Sequence, residues 1–230
     1  MESKIIRIVS LLFISLVLGC SSDDSKVVSG TLEFSEIGAH TFEINANAIK
    51  ATITIMGAGG GGGGGVSYSS GSSSTGGGGG GGAGEVKTFT DVVLQKNTSY
   101  TVFVGEGGSG GNVSSNGQNG QPSTVALELT TLYSALVGNG GNSNVTNQTS
   151  GGNGGVGFPE GSAGGSGVLV DLNGNAMAGS GGNGGNNSSA YGNGGNGGMG
   201  ASLSNSVPTN ATTGAKGGNG YVRIEWTGRE

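Results

Sequence analysis

Beyond the first 25 residues, apolar positions alternate along the chain rather than recurring every third or fourth residue. In Ala51-Thr-Ile-Thr-Ile-Met56, Ile53 and Ile55 alternate with Thr52 and Thr54. In Tyr221-Val-Arg-Ile-Glu-Trp226, the residues Val222, Ile224 and Trp226 share one face. A two-residue period is that of a strand with one buried side. The same pattern predicts strands over 31–34, 40–44, 86–94, 99–104, 123–129, 132–137 and 168–172. Segments 31–34 and 40–44 read as a pair around a turn holding Gly38, and 86–94 with 99–104 as a hairpin through 95–98. No helical period follows residue 19. The expected fold class is therefore all-β, a sandwich-like scaffold with no helices after the leader.

Glycine changes this picture, because it supplies 56 of 230 residues, far above the usual share of about 7%. Two kinds of glycine segment lie between the strands. Gly57–Gly65 and Gly76–Gly84 are almost pure glycine, interrupted only by Ala58 and Ala83. Later segments repeat Gly-Gly-Asn, with Asn183 and Asn186, then Asn193, Asn196 and Met199, each three residues apart. Three residues per turn is the geometry of the polyproline-II helix, which glycine also adopts. Such polyglycine-II strands can pack side by side when glycine faces inward, so that backbone bonds to backbone. Asn, at the third position, would point outward or between strands. The competing expectation is an array of unpacked Gly/Asn loops. Only three prolines are present, which excludes collagen.

The N-terminus divides the chain further. Lys4 and Arg7 precede an apolar run from Ile8 to Leu18, long enough for a signal-peptide core and too short to span a bilayer of about 30 Å. The run ends at Val17-Leu18-Gly19-Cys20, which resembles the lipobox of bacterial lipoproteins. The resemblance implies cleavage after Gly19 and a diacylglyceryl group on the Cys20 thiol. Cys20 is the sole cysteine, so no internal disulfide competes for it. Ser21-Ser-Asp-Asp-Ser25 resembles the short acidic tag that directs Bacteroidetes lipoproteins to the outer face of the outer membrane. The expected organisation is a signal peptide at 1–19, a lipidated Cys and tether at 20–29, and a glycine-rich β domain at 30–228.

Charge and chemistry narrow the function. Removing residues 1–19 takes Lys4, Arg7 and Glu2 from the nine basic and fourteen acidic side chains, leaving seven and thirteen. That balance argues against a nucleic-acid partner, which needs clustered Lys and Arg. The strand running into Gly57-Ala-Gly59-Gly-Gly-Gly62 fits a dinucleotide fingerprint in letters only, since no helix can start in the glycines that follow. Gly151-Gly-Asn-Gly-Gly155 has Asn where calcium-binding repeats need Asp. His40 is the only histidine and reads as a strand residue. One His and one acylated Cys build neither a zinc site nor a Cys–His pair. No catalytic residue, metal or cofactor is expected. Tyr68 and Tyr191, in glycine-rich loops, are the candidate ligand contacts, because an exposed ring can stack on a sugar.

The order of segments carries a second resemblance. An apolar strand runs into Gly57-Ala-Gly-Gly-Gly60, a later strand ends Tyr100-Thr-Val-Phe-Val-Gly-Glu-Gly-Gly108, Gly/Asn triplets follow, and Gly220-Tyr-Val-Arg-Ile-Glu-Trp226 closes the chain. This resembles the glycine-rich domain of bacterial surface proteins and phage tail-tip adhesins, and in style the glycine-rich region of the anaplastic lymphoma kinase ectodomain. It implies a β scaffold carrying a polyglycine-II bundle that binds a receptor or glycan through loops at its tip. The expectation is a non-enzymatic, membrane-anchored binding or adhesion module. A self-associating structural or matrix protein and an ice-binding protein are the alternatives.

Overall fold

The computed structural model describes residues 25–67, 75–145, 149–169, 176–204 and 207–230. These residues form twelve β-strands and, among themselves, no helix. Two four-stranded antiparallel sheets face each other. One holds β1 (Val27–Phe34), β12 (Tyr221–Arg229), β3 (Asn47–Met56) and β4 (Val86–Leu94), in that order. The other holds β2 (Gly38–Phe42), β5 (Tyr100–Val104), β6 (Ser123–Leu127) and β7 (Thr130–Ala135). Inward residues of both sheets make one apolar core, with Ile53, Ile55, Val222 and Ile224 from the first against Val102, Val104 and Val125 from the second. The alternation read from the sequence is thus that of a sandwich with one face of each sheet buried.

Sequence neighbours do not pair as expected. β1 pairs with β12, not with β2, in a register that sets Leu32 opposite Ile224. β4 pairs with β3 while β5 pairs with β2 and β6, so 86–94 and 99–104 form no hairpin. Both connections cross from one sheet to the other. A connection crossing between sheets and a hairpin turn use the same polar residues, so local pattern does not separate them. The closing strand lies between β1 and β3. There the Trp226 ring lies across Gly30 of β1, its Nε1 2.8 Å from where a β-carbon would sit.

The glycine segments are ordered and packed. Gly60, Gly63 and Val66 donate N–H bonds to the carbonyls of Gly82, Gly79 and Gly76. Ala58, Gly61 and Gly64 donate to Gln121, Gln118 and Ser115, and Gly59, Gly62 and Gly65 to Gly218, Ala215 and Thr212. Successive N–H groups therefore visit three neighbours in rotation, with a three-residue period. A β-strand alternates between two neighbours, so this backbone has polyglycine-II symmetry. Carbonyls of the same segment accept from three others, for example Gly59 from Gly108, Ala58 from Gly138 and Gly60 from Gly195. Gly57–Val66 is thus surrounded by six parallel or antiparallel threads.

Gly76–Gly84 is surrounded in the same way, by segments including 138–143, 151–157, 161–167, 179–185 and 192–201. Numbered in chain order, the ten threads run alternately up and down. The first and second are the inner pair. The other eight close a ring around them, each bonded to the next, and the tenth (212–220) bonds the third (105–112) through Gly214 to Gly111 and Gly217 to Gly108. At about 3.1 Å rise per residue, the inner threads are roughly 28 Å long.

Position in this lattice explains the two kinds of glycine segment. An inner thread meets backbone on every side, so every residue of Gly57–Gly65 and Gly76–Gly84 is buried. An outer thread meets neighbours with two residues in three, and the third faces out: Gly182 is buried and Asn183 exposed, then Gly185 and Asn186. Asn suits that third place because its side chain stands in for a missing neighbour. Gly184 N–H donates to Asn196 Oδ1 (2.8 Å), Asn187 N–H to Asn193 Oδ1 (3.0 Å) and Gly140 N–H to Asn119 Oδ1 (2.9 Å). Asn196→Ala is expected to cost about 0.5–1 kcal/mol, since water can replace the lost bond at this exposed site. Chemical denaturation measures it, and a loss above about 2 kcal/mol would contradict a surface-capping role.

Candidate functional site at the far end of the bundle

The up-and-down order of the threads gives the bundle two unlike ends. At the near end, connections run through the sandwich or through tight turns. The second thread continues into β4 and the fourth into β6, and the tenth enters β12 directly. At the far end lie the connections 67–75, 113–114, 144–150, 168–178 and 202–211. β8 (Val168–Leu169), β9 (Ala176–Met177), β10 (Ser202–Ser204) and β11 (Val207–Thr209) form a small third sheet there, in the order β11-β10-β9-β8.

Buried hydroxyls hold this end in place. Thr75 is fully buried where the second thread begins. Its hydroxyl donates to the Val66 carbonyl and accepts from Ala201 N–H (2.6 Å), tying the first, second and ninth threads together. Ser67 N–H donates to Ser114 Oγ (3.0 Å), joining the first connection to the second. Ser202 N–H donates to Thr209 Oγ1 (3.0 Å) across β10 and β11. Among the described residues of this end there is no Asp, Glu, Lys, Arg or His. Its exposed surface is hydroxyl, amide and a little apolar area, the latter from Val145 and Met177. Such a surface can hydrogen-bond neutral polar groups and offers no charge to capture an anion or a metal ion. Among the described residues generally, no three His, Cys, Asp or Glu side chains converge to hold a metal.

The two candidate tyrosines fall apart in space. Tyr68 belongs to the connection between the inner threads, and both it and Cys20 lie outside the described residues. Tyr191 lies in the near-end turn between the eighth and ninth threads. That turn is closed by Ser188 N–H to Asn186 Oδ1 (2.8 Å), Ser189 N–H to Asn187 Oδ1 (3.0 Å) and Asn193 Nδ2 to the Ser189 carbonyl (2.7 Å). One face of the Tyr191 ring stacks on Tyr221 of β12, with centroids 4.5 Å apart and planes 10° from parallel. The pair fastens the bundle to the outer face of the first sheet. His40, half-buried on edge strand β2, lies 2.7 Å from the Glu36 carbonyl through Nε2 and packs near Phe34. Counting glycine segments in the sequence would have separated the tyrosines, because even-to-odd connections must all lie at one end. Thr75 carried no such signal, as its burial comes from threads far away in sequence.

Burial pushes the Tyr221 hydroxyl up to about 12, helped by its hydrogen bond to the Glu33 carboxylate. A raised folded-state value means that the unfolded chain loses this proton first. The stabilising contribution is whole below pH 10 and is lost as pH rises toward about 12. Unfolding titrations from neutral pH into that window are expected to show a steeper loss for the native protein than for Tyr221→Phe. Parallel losses would mean that the ring pair does not couple bundle and sheet.

No curated protein matches the chain. The glycine-rich domain family matches residues 34–227, from the end of β1 through all ten threads to β12. This chain, with its sandwich and its two classes of glycine thread, belongs to the glycine-rich domain family.

Proposed function

We propose that the protein is a lipid-anchored surface module that presents the far end of its bundle to a partner, as a non-enzymatic adhesin. The observation that carries this reading is the polarity of the molecule. The chain enters from the Cys20 side at the base of the sandwich, where β1 begins at Val27. The bundle then places its five non-glycine connections at the opposite end. The signal-like leader, the lipobox-like Cys20 and the acidic tag support anchoring on the outer face of an outer membrane. The uncharged hydroxyl and amide surface favours a glycan or the polar loop of a surface receptor.

The self-associating structural protein remains the rival, since eight outer threads offer a long polar wall. Ice binding is less well supported, because Asn193 and Asn196 already spend their side-chain carbonyls on backbone N–H groups. Binding of the soluble 21–230 domain to glycan arrays and cell surfaces tests the proposal. Saturable binding weakened by Tyr68→Ala and unchanged by Tyr191→Ala is expected. A folded domain that binds no surface and instead assembles as its concentration rises would replace adhesion with the structural reading.

A further inference from the structure

Opposite the bundle, the base of the sandwich is where Val27, Asn47, Leu94 and Arg229 end their strands. Leu129, Val93 and Val27 are the most exposed large hydrophobic side chains among the described residues, at 103%, 72% and 67%. All three lie at this end. Leu129 tips the β6–β7 turn next to Glu128, whose φ of 53° is left-handed. A monomeric protein gains nothing in stability from side chains held so far into water.

Charge is also distributed unevenly. Lys26, Lys50, Lys96 and Arg229 are at the base with Glu43, Glu128 and Glu230, and Glu230 is taken up by Lys26 at 4.0 Å. Higher up, acids outnumber bases: Glu33, Glu85, Glu106, Glu160 and Glu225 are there, with Lys87, Lys216 and Arg223. A shallow depression of about 440 Å³ at the base is lined by Val27, Ala48, Lys50, Thr227, Gly228 and Arg229. Two cations and no carboxylate border it. Arg229 also reaches the Ser25 hydroxyl at 3.5 Å.

The segment before β1 brings this end to a membrane. Cys20 precedes Val27 by seven positions, and so short a stretch spans at most roughly 25 Å when fully extended. We propose that the base docks on a membrane surface bearing anionic headgroups, with a headgroup phosphate between Lys50 and Arg229, and Leu129 and Val27 entering the headgroup layer. The inference rests on Cys20 as the anchor. Basic side chains near an anionic surface are attracted within about a Debye length, and a short tether holds them inside it. Docked this way, the bundle stands up from the membrane and its far end points outward.

Sedimentation of the acyl-free 21–230 domain with vesicles tests this directly. Phosphatidylcholine vesicles containing phosphatidylglycerol are compared with pure phosphatidylcholine at millimolar lipid, each protein first shown to unfold cooperatively. The expected result is retention on the anionic vesicles only. Retention should fall about tenfold in Lys50→Gln/Arg229→Gln, fall in Leu129→Asp, and stay unchanged in Lys216→Gln, whose side chain is on the tenth thread. Absence of binding, equal binding to both vesicles, or an equal loss in Lys216→Gln overturns the proposal. Because the domain carries no lipid, failure here leaves the anchor itself to a separate measurement, the mass of the mature N-terminal peptide.

Discussion

Gly62→Ala is expected to cost roughly 3 kcal/mol, the upper end of the range for overpacking a filled interior. In a loose glycine loop the same change stabilises by about 0.4–1 kcal/mol, because alanine restricts the unfolded chain. The sign reverses here because a methyl on Gly62 would fall on the carbonyl of Asn196 in the ninth thread. That thread cannot retreat. Gly195 and Gly198 on either side donate to Gly60 and Gly63, while Gly194 and Gly197 donate to the eighth thread. Asn153→Ala, at an exposed third position of an outer thread, is expected to change stability by less than about 0.5 kcal/mol. Urea unfolding of the two variants decides the matter. Equal midpoints would mean that the inner threads are not packed as described.

Ile224→Ala is expected to cost roughly 2–5 kcal/mol. The side chain is fully buried, on the strand between β1 and β3, opposite Leu32 on one side and Ile53 on the other. Loss of its methyl groups leaves a cavity between two sheets that are held by their own ladders and cannot close over it. The effect should reach the bundle as well. The first thread leaves β3 at Met56 and the tenth enters β12 at Tyr221, without an intervening linker. Ser123, fully buried at this junction, accepts the Gly105 N–H at 3.1 Å. Calorimetry of Ile224→Ala is therefore expected to show one transition, displaced to lower temperature. Two resolved transitions, with only the first displaced, would show sandwich and bundle to be independent units.

Local physical chemistry made much of this fold legible before any coordinates. Alternation of Ile and Thr in β3 required a strand with one buried face, and pure glycine in two segments required backbone contact on every side. The three-residue spacing of Asn183, Asn186, Asn193 and Asn196 announced the thread geometry and the outward place of Asn. What the sequence could not decide was which segments are neighbours. β1 closes on β12 almost two hundred residues away, because pairing depends on which apolar edges remain unfilled once the sheets form. The split of β4 from β5 follows from the same global fit, as does the ring of eight threads around two. Tyr191 shows the limit most clearly. Its surroundings in sequence are those of an exposed glycine loop, yet the alternating direction of the threads brings it back to the sandwich and sets its ring against Tyr221. Sequence determined what each segment is, through periodicity and side-chain size. Only the tertiary structure decided where each segment lies, because inter-thread hydrogen bonds are identical for every glycine and carry no label of their partner.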